Sequence, residues 1–386
     1  MNNTTTTTIS SNTSDVIVIG GGLVGSAVSY GLARQGARVT LLDEGDQAFR
    51  ASRGNFGLVW VQGKGFGMTP YARWTRSSAG LWPQLAQALF DDTGVDVHLQ
   101  QPGGFCFTFS DEETEERRNR LQAIQDELAD DYPFEMLDRQ DVIARVPALG
   151  PAVTGASYTP MDGHTNPLKL LRALHAANLK RGVNYVSGQP VKNVTAQPRA
   201  GGSLFTVEGR WQAPRVVLAA GLGNRGLADA LGLHAPVAPN RGQVLIGERT
   251  ARFLDYPTLN VRQTDEGSIQ LGDSMEEVGF NDNVTTDVLA DIAQRGVRTF
   301  PVLAGLRLVR AWGALRVMSP DGFPIYQESP KHPGAFVTTC HSGVTLAAAH
   351  AFRVAPWIGG APRPEEIGVF QGDRFLNPNY RPVHAH

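Results

Sequence analysis

The segment SDVIVIGGGLVGSAVSYGLARQG, residues 14–36, decides the fold. It opens with the short β-branched run VIVI, which is typical of a strand buried in a parallel sheet. Gly20, Gly22 and Gly25 follow with the spacing GxGxxG, and apolar residues then recur at helical spacing over 24–32. This order predicts a strand, a tight turn and a helix.

The same turn predicts a dinucleotide site. Its glycines let the backbone approach a pyrophosphate, which sits at the positive N-terminal end of the helix. A second predicted strand, ARVTLLDE at 37–44, ends at Asp43 with Glu44 beside it, about where an acidic group would bond a ribose hydroxyl. The alternative is a glycine-rich turn in another α/β protein, because glycines also end helices and build turns.

Length and charge limit the possible functions. The 386 residues suffice for two packed domains. Lysine and arginine number 35 and aspartate and glutamate 37, a net charge of −2 that gives no electrostatic reason to expect nucleic acid or an anionic membrane as partner. No histidine cluster has metal-ligand spacing and no GxSxG motif occurs, so we predict neither a metal site nor a nucleophile elbow.

The cysteines and the chain ends indicate the compartment. Cys106 and Cys340 form no CxxC, so we expect two buried thiols in a reducing compartment and no iron–sulfur cluster held by this chain alone. Residues 1–14 lack the features of a secretory signal, so we expect a disordered tail and a cytoplasmic protein. Charged and proline residues interrupt the apolar stretch at 343–360, which favours a buried helix over a membrane span.

Helices and strands alternate between these motifs. Helices are predicted at 70–93 and 111–130, and the second turns three apolar residues inward and its charges outward. We interpret its charged face as solvated and not as a site. A second strand, glycine turn and helix follows at 216–232, so two distant parts of the chain build the nucleotide-binding layer, with strand-rich segments inserted between them.

From about residue 15 to residue 380, the order of motifs resembles that of the D-amino-acid oxidase and glycine oxidase superfamily of FAD enzymes. The opening GxGxxG is the least specific part of this resemblance. The more specific segments are FRASRGNFGLVW (49–60), VVLAAGLGNRGLADALG (216–232), WGALRVMSPDGFPIY (312–326) and CHSGVTLAAA (340–349).

The resemblance implies an α/β fold with α+β insertions. A Rossmann-like FAD-binding domain is expected to be discontinuous, and an antiparallel-sheet substrate domain is expected to be interleaved with it, as in glycine and D-amino-acid oxidases. The boundaries we predict are a tail at 1–14, the FAD-binding domain at 15–90, 150–235 and 325–386, and the substrate domain at 91–149 and 236–324.

The cofactor that the resemblance implies is FAD. The glycine turn and the end of the second strand are expected to contact its pyrophosphate and ribose, the loop after 49 its pyrophosphate and ring, and the segment after 340 its pyrimidine. The predicted contacts are Gly20, Gly22, Leu23, Val24, Gly25, Asp43, Glu44, Ser52, Arg53, Gly54, Asn55, Val191, Ala220, Gly221, Ser342, Gly343, Val344 and Thr345.

The resemblance also implies a substrate site. Arg316, in WGALR, matches the family's substrate-carboxylate arginine, and a planar guanidinium suits a carboxylate. The alternative is an arginine paired with an acid between strands. His341 is expected to face the flavin and tune its charge, or else to be a buried histidine bonded to backbone.

A second cation is predicted two residues from Asn260. Asn260 aligns with a glycine oxidase tyrosine that helps to hold the substrate carboxylate. Arg262 would share its strand face and so add a cation to the pocket, which suits an opine because opines carry more than one carboxylate. The alternative is an exposed arginine at a strand end.

Within the superfamily, ASRGNFGLVWVQGKG (51–65), PGGFCF (102–107) and HSGVTLA (341–347) are similar to the β or B subunits of multi-subunit enzymes. That group includes the B subunits of opine oxidase, D-hydroxyproline dehydrogenase and sarcosine oxidase. The resemblance implies a catalytic FAD subunit that oxidises the C–N bond of an opine such as octopine or nopaline, or else of D-hydroxyproline or sarcosine. It also implies a heteromeric complex whose partner subunits carry FMN or an iron–sulfur centre.

Two functions of other classes stay open. One is a flavoprotein subunit that serves electron transfer or assembly with a disused substrate pocket, which the intact WGALR context disfavours. The other is an NAD-dependent dehydrogenase, which is disfavoured because the downstream segments match flavin contacts.

Overall fold

The glycine motif follows a parallel strand in the computed structural model, which describes residues 12–45, 51–128 and 131–381. The strands are β1 (Val16–Ile19), β2 (Val39–Leu42), β3 (Leu58–Val59), β4 (Gly104–Thr108), β5 (Glu135–Asp138), β6 (Gly155–Thr159), β7 (Gly163–His164), β8 (Asn184–Val186), β9 (Val194–Arg199), β10 (Gly202–Val207), β11 (Trp211–Ala213), β12 (Val216–Leu218), β13 (Ala238–Arg249), β14 (Val261–Gln263), β15 (Ser268–Gly272), β16 (Leu308–Met318), β17 (Ile325–Glu328) and β18 (Ala335–Thr339).

The helices predicted from 24–32, 70–93 and 111–130 are present. The described helices are α1 (Leu23–Arg34), α2 (Thr69–Thr93), α3 (Asp111–Leu128), α4 (Arg139–Arg145), α5 (Pro167–Lys180), α6 (Asn224–Leu227), α7 (Thr286–Thr299), α8 (Ala347–Ala349) and α9 (Ala355–Gly359), the last two joined by the π-helical residues His350–Val354. Residues 129 and 130, at the end of the helix predicted over 111–130, lie outside the described residues.

A six-stranded sheet with the order β17-β18-β12-β1-β2-β8 forms the nucleotide-binding layer. Its strands are parallel except β17, which is antiparallel to β18. Both faces of β1 are covered, which explains its uninterrupted apolar run. Val16 and Val18 pack in the core with α1, whereas Ile17 and Ile19 pack with the three-stranded sheet β11-β10-β9.

The inserted segments form antiparallel sheets. β14-β15-β13-β16 is a four-stranded sheet in which Asn240 of β13 pairs with Arg316 of β16. A three-stranded sheet, β4-β6-β5, shares a hydrophobic core with it through residues such as Phe105 and Leu245. Of these two sheets, the four-stranded one lines the cavity described below.

The predicted α/β fold with inserted antiparallel sheets is confirmed, and three local expectations are corrected. β6 pairs with β4 and β5, so the predicted boundary at residue 150 cuts one sheet in two. Residues 12–14 are bonded to Gln212 rather than forming a loose tail, and residues 1–11 lie outside the described residues. The helix predicted within 216–232 is reduced to short turns around α6, because glycines interrupt it.

Both cysteines are buried and free, as predicted. Within the described part of the chain, no helix has the length and apolar character needed to cross a membrane.

Candidate active site

A cavity of about 940 Å³ opens at the carboxyl ends of the parallel strands. Gly20, Asp43 and Thr339 line it at the ends of β1, β2 and β18, and Gly242 and Ala314 line it from β13 and β16. Ligands of open α/β sheets bind at this edge. The cavity therefore lies between the nucleotide-binding sheet and the four-stranded antiparallel sheet.

The glycine motif brings the N-terminus of α1 to the cavity wall. Gly20 has a φ of +107°, which favours glycine, and a Cβ on Gly25 would lie 1.9 Å from the Gly20 carbonyl oxygen. At the start of the helix, the Leu23 N–H donates to the Ser52 hydroxyl at 2.9 Å. Helix N-termini favour anions, so this wall suits a pyrophosphate.

Two acidic residues, Asp43 and Glu44, follow β2. One carboxylate oxygen of Asp43 accepts from the Gly21 N–H at 2.6 Å and the other from the Gly45 N–H at 2.9 Å. Asp43 thus fixes the glycine turn to the end of β2. Glu44 lines the same cavity. A ribose contact stays a prediction for both residues.

The cavity brings together most of the predicted cofactor residues. Two do not line it: Arg53, and Gly25, which packs behind the turn against Gly20 and Ala219. Those that do are Gly20, Gly22, Leu23, Val24, Asp43, Glu44, Ser52, Gly54, Asn55, Val191, Ala220, Gly221, Ser342, Gly343, Val344 and Thr345.

The segment after β18 reaches the cavity through a turn, not through a helix. Residues 343–346 form this turn, so the helix expected over 343–360 does not begin at Gly343. It begins at Ala347. The Thr345 hydroxyl accepts from the Trp60 N–H at 3.1 Å, and the Ser342 hydroxyl lies 3.0 Å from the Tyr71 hydroxyl. These bonds tie the turn to the strand β3 region and to α2.

Arg316 lines the cavity from β16, and neighbouring residues hold its guanidinium. It forms an ion pair with Asp273, and it donates to the Asn240 side-chain oxygen at 3.1 Å. A Cβ on Gly242 would lie 2.3 Å from one guanidinium nitrogen, so the glycine makes room for this side chain. The alternative considered from sequence, an arginine paired with an acid, is therefore realised, but inside the cavity.

The prediction that Arg262 adds a cation to the cavity is wrong. The residue is buried, its guanidinium donates to Gln270 at 2.7 Å and to the Thr165 carbonyl at 3.2 Å, and it is not among the cavity-lining residues. Asn260 does line the cavity, but it precedes β14, so the shared-face argument did not apply. His341 lines the cavity as well.

Sequence reasoning missed four basic residues that line the cavity: Lys192, which follows the predicted contact Val191, and the group Lys64, Arg117 and Arg120. Arg117 and Arg120 lie on α3, whose charged face was interpreted as solvated, and that interpretation is wrong for these two side chains. Lys64 follows β3, and no local pattern marks it as a site residue. Burial lowers the pKa of Lys64 to about 8, an effect that Asp162 partly offsets.

A buried carboxyl group lies behind Lys64 and Arg117. Asp162 accepts hydrogen bonds from the Val61 N–H at 2.5 Å and from the Gln62 amide at 2.6 Å. Burial raises the pKa of Asp162 to about 7, although these hydrogen bonds favour the charged form. Gln62 in turn accepts from Arg117 at 2.7 Å, so one network connects the buried acid with the cavity wall.

Comparisons with known proteins agree with this geometry. The family model DAO, described as FAD dependent oxidoreductase, matches residues 15–357. The B subunit of opine oxidase from Agrobacterium tumefaciens (strain Ach5) is 45% identical over 358 residues, covering 92% of this chain and 96% of its own. Glycine oxidase from Pseudomonas putida is 28% identical over 344 residues, covering 86% and 90%. The solved structure of glycine oxidase from Geobacillus kaustophilus has a TM-score of 0.84 at 23% identity, covering 93% and 98%.

Proposed function

Because the chain belongs to the DAO family of FAD-dependent oxidoreductases, we propose that it is the catalytic FAD subunit of an enzyme that oxidises the C–N bond of an opine such as octopine or nopaline. The observation that carries the proposal is Arg316, a guanidinium held in the cavity where a substrate carboxylate would be bound. The 45% identity to the B subunit of an opine oxidase, over nearly the full length of both chains, supports the substrate class.

The residues that line the cavity fit FAD. A Cβ on Gly20 would lie 2.4 Å from the Ala219 carbonyl oxygen and one on Gly22 would lie 2.8 Å from the Ser52 hydroxyl, so side chains there would fill the cradle at the N-terminus of α1. Glu44 and Val191 would hold the adenosine end, and Thr345 the pyrimidine end. When bound, FAD supplies the acceptor for the hydride that leaves the carbon next to the amine. Loss of this hydride converts the amine to an imine, which water hydrolyses.

The protein's own contribution is orientation. Arg316 would clamp the substrate carboxylate through two parallel hydrogen bonds, and Asn240 would keep the guanidinium plane in place. Such a clamp would orient the reacting carbon for transfer. Reacting atoms oriented in this way lie about 3–3.5 Å apart, and this positioning supplies a large part of the rate enhancement. His341 and Asn260 would add polar contacts from other segments of the cavity wall.

Asp273 would compete with the substrate for Arg316. Its carboxylate pairs with the guanidinium, and its side chain is 41% exposed, so it can swing into solvent when a substrate carboxylate arrives. We expect Asp273→Asn to tighten the binding of propionate, measured by perturbation of the flavin absorbance, about 5-fold, or about 1 kcal/mol for a partly exposed pair.

The control for this prediction is Asp255→Asn, which removes an exposed carboxylate paired with Arg252 outside the cavity. It should leave propionate binding unchanged. Weaker binding in Asp273→Asn would mean that Asp273 positions the guanidinium and does not compete for it.

We further propose that electrons leave this chain for partner subunits that carry FMN or an iron–sulfur centre. Two relatives, 45% and 44% identical to this chain, are each one subunit of an opine oxidase, which supports a multi-subunit enzyme. The alternative, an electron-transfer or assembly protein with a disused pocket, is opposed by Arg316, because its cavity position and its Asn240 support are intact.

An anaerobic titration tests the proposed function. The purified chain, with any subunits that copurify, receives octopine, nopaline, D-hydroxyproline, sarcosine or glycine, and the flavin absorbance band is followed. Bleaching by the opines alone supports the proposal. Bleaching by D-hydroxyproline or sarcosine alone means that this amine, and not an opine, is the substrate. A bound flavin that no amine reduces favours the electron-transfer function.

A further inference from the structure

One wall of the cavity carries three cations that the proposed clamp does not use. We name Lys64, Arg117 and Arg120 the basic wall; all three line the cavity. Lys64 lies in the segment between β3 and α2, and the two arginines lie three residues apart on α3, which places them on one helix face. Two separate elements therefore converge on one concentration of positive charge.

Among the described residues, the hydrogen-bond partners of Lys64 and Arg117 are neutral. The Lys64 ammonium donates to the Ser342 hydroxyl at 2.7 Å and to the Thr345 hydroxyl at 3.3 Å. Arg117 donates to the Ser157 hydroxyl at 2.5 Å and to the Gln62 side-chain oxygen at 2.7 Å. Arg316, in contrast, has the carboxylate of Asp273.

Arg120 is the least satisfied of the three. Its guanidinium stacks over the Phe66 ring at 5.1 Å, and its buried Nε has no hydrogen-bond partner. Over residues 12–45, 51–128 and 131–381, no carboxylate lies within 4 Å of any basic-wall nitrogen, whereas Arg241 and Arg316 each have one at that range. Asp162 offsets part of the cost of burying Lys64, but cations that line a partly buried cavity with no carboxylate in hydrogen-bond range stay costly unless an anion joins them.

The position of the wall indicates which end of the cavity this anion occupies. Lys64 is bonded to Ser342 and Thr345, the turn expected at the flavin pyrimidine, whereas the cofactor's pyrophosphate is expected at the N-terminus of α1. The anion therefore belongs to the reacting end and not to the adenosine end. Burial lowers the pKa of Lys64 to about 8, and a bound anion would favour its charged form.

We propose that the basic wall is a second anion subsite, which binds the distal carboxylate of a dicarboxylic secondary amine while Arg316 binds the first. This inference rests on the proposed function. The sequence pattern assigned the second cation of the pocket to Arg262. The proposed subsite assigns it instead to residues that line the cavity. The subsite would make the enzyme select substrates with a carboxylate on each side of the amine nitrogen.

The test compares substrates that differ by one carboxylate. Octopine is compared with its two monocarboxylate analogues, N2-ethylarginine and N-(1-carboxyethyl)agmatine, each of which has hydrogen in place of one carboxylate. The half-saturating concentration for anaerobic flavin reduction is measured for each. In Lys64→Met and Arg120→Gln, that concentration should rise about 10- to 100-fold for octopine, the size of a lost charged hydrogen bond. For the analogue that retains only the carboxylate on the oxidised carbon it should change by less than about 3-fold, because the subsite is then empty.

Arg118→Gln is the matched control. Arg118 lies on the same helix, is about half exposed at 50%, pairs with Glu115, and is not among the cavity-lining residues. It should leave all three half-saturating concentrations unchanged. Flavin content and melting temperature verify that each variant folds.

A binding measurement separates this inference from the proposed function. Glutarate and butyrate differ by one carboxylate and neither is oxidised, so their perturbation of the oxidised flavin spectrum reports the subsite even if no opine reduces the enzyme. Glutarate should bind more tightly than butyrate, and the preference should vanish in Lys64→Met and Arg120→Gln. Equal binding of the two acids by the unaltered protein, or an equal loss for both acids in the variants, overturns the subsite.

Discussion

Arg316→Met is expected to lower kcat/KM for the substrate amine about 10²- to 10³-fold, while FAD stays bound. Methionine keeps much of the length of the side chain but removes both donors of the clamp. The substrate then loses its anchor and its alignment, and alignment of the reacting carbon is the larger part of the effect. The measurements are the rate of anaerobic flavin reduction and the flavin absorbance of the purified variant.

Two controls isolate the clamp. Arg310→Met removes an exposed arginine from the same strand, six residues earlier and outside the cavity, and should leave the rate unchanged. Arg316→Met combined with Asp273→Asn removes the acid that loses its partner. If the double variant is as slow as the single one, the defect comes from loss of the Arg316 clamp. It does not come from the unpaired Asp273 carboxylate. A single variant that reduces its flavin as fast as the unaltered protein contradicts the clamp.

Features that depend on local backbone were predictable from the sequence. The run of β1, the spacing of Gly20, Gly22 and Gly25 and the start of α1 each follow from sterics and periodicity within a few residues. The cavity brings Ser52 together with Arg316 and Thr345, which lie far from it in the sequence. This convergence was predictable only through the family resemblance.

Arg262 and α3 show where periodicity fails, and for related reasons. The alternation of side chains along a strand predicts that residues i and i+2 lie on one face of the sheet. It does not predict where the strand begins or what packs against that face. β14 begins after Asn260, and Arg262 meets Thr165 and Gln270. On α3, the apolar stripe identifies the face that packs in the core. Outside that stripe, charged side chains are typical both of a surface in contact with bulk water and of a wall of a polar cavity. The sequence therefore did not distinguish Arg117 and Arg120 from ordinary surface charges.

Gly25→Ala is expected to abolish FAD binding, although it adds a single methyl group. The new Cβ would lie 1.9 Å from the Gly20 carbonyl oxygen and 3.2 Å from the Ala219 Cβ. Neither of these atoms can move without disrupting other contacts. Gly20 donates its N–H to the Leu42 carbonyl at 2.8 Å, which ties the turn to β2, and α1 is buried along most of its length. Relief requires α1 to move away from the turn, and its N-terminus would then leave the pyrophosphate position.

Gly80→Ala is the matched control, because the same methyl group on the exposed face of α2 would have no heavy atom within 4 Å. That variant should bind FAD normally and gain up to about 1 kcal/mol in unfolding free energy from helix propensity. The ratio of flavin to protein absorbance and the melting temperature distinguish the two variants. If Gly25→Ala retains stoichiometric FAD, α1 can shift without loss of the site, and the close backbone crossing at Gly20 is not what positions the pyrophosphate.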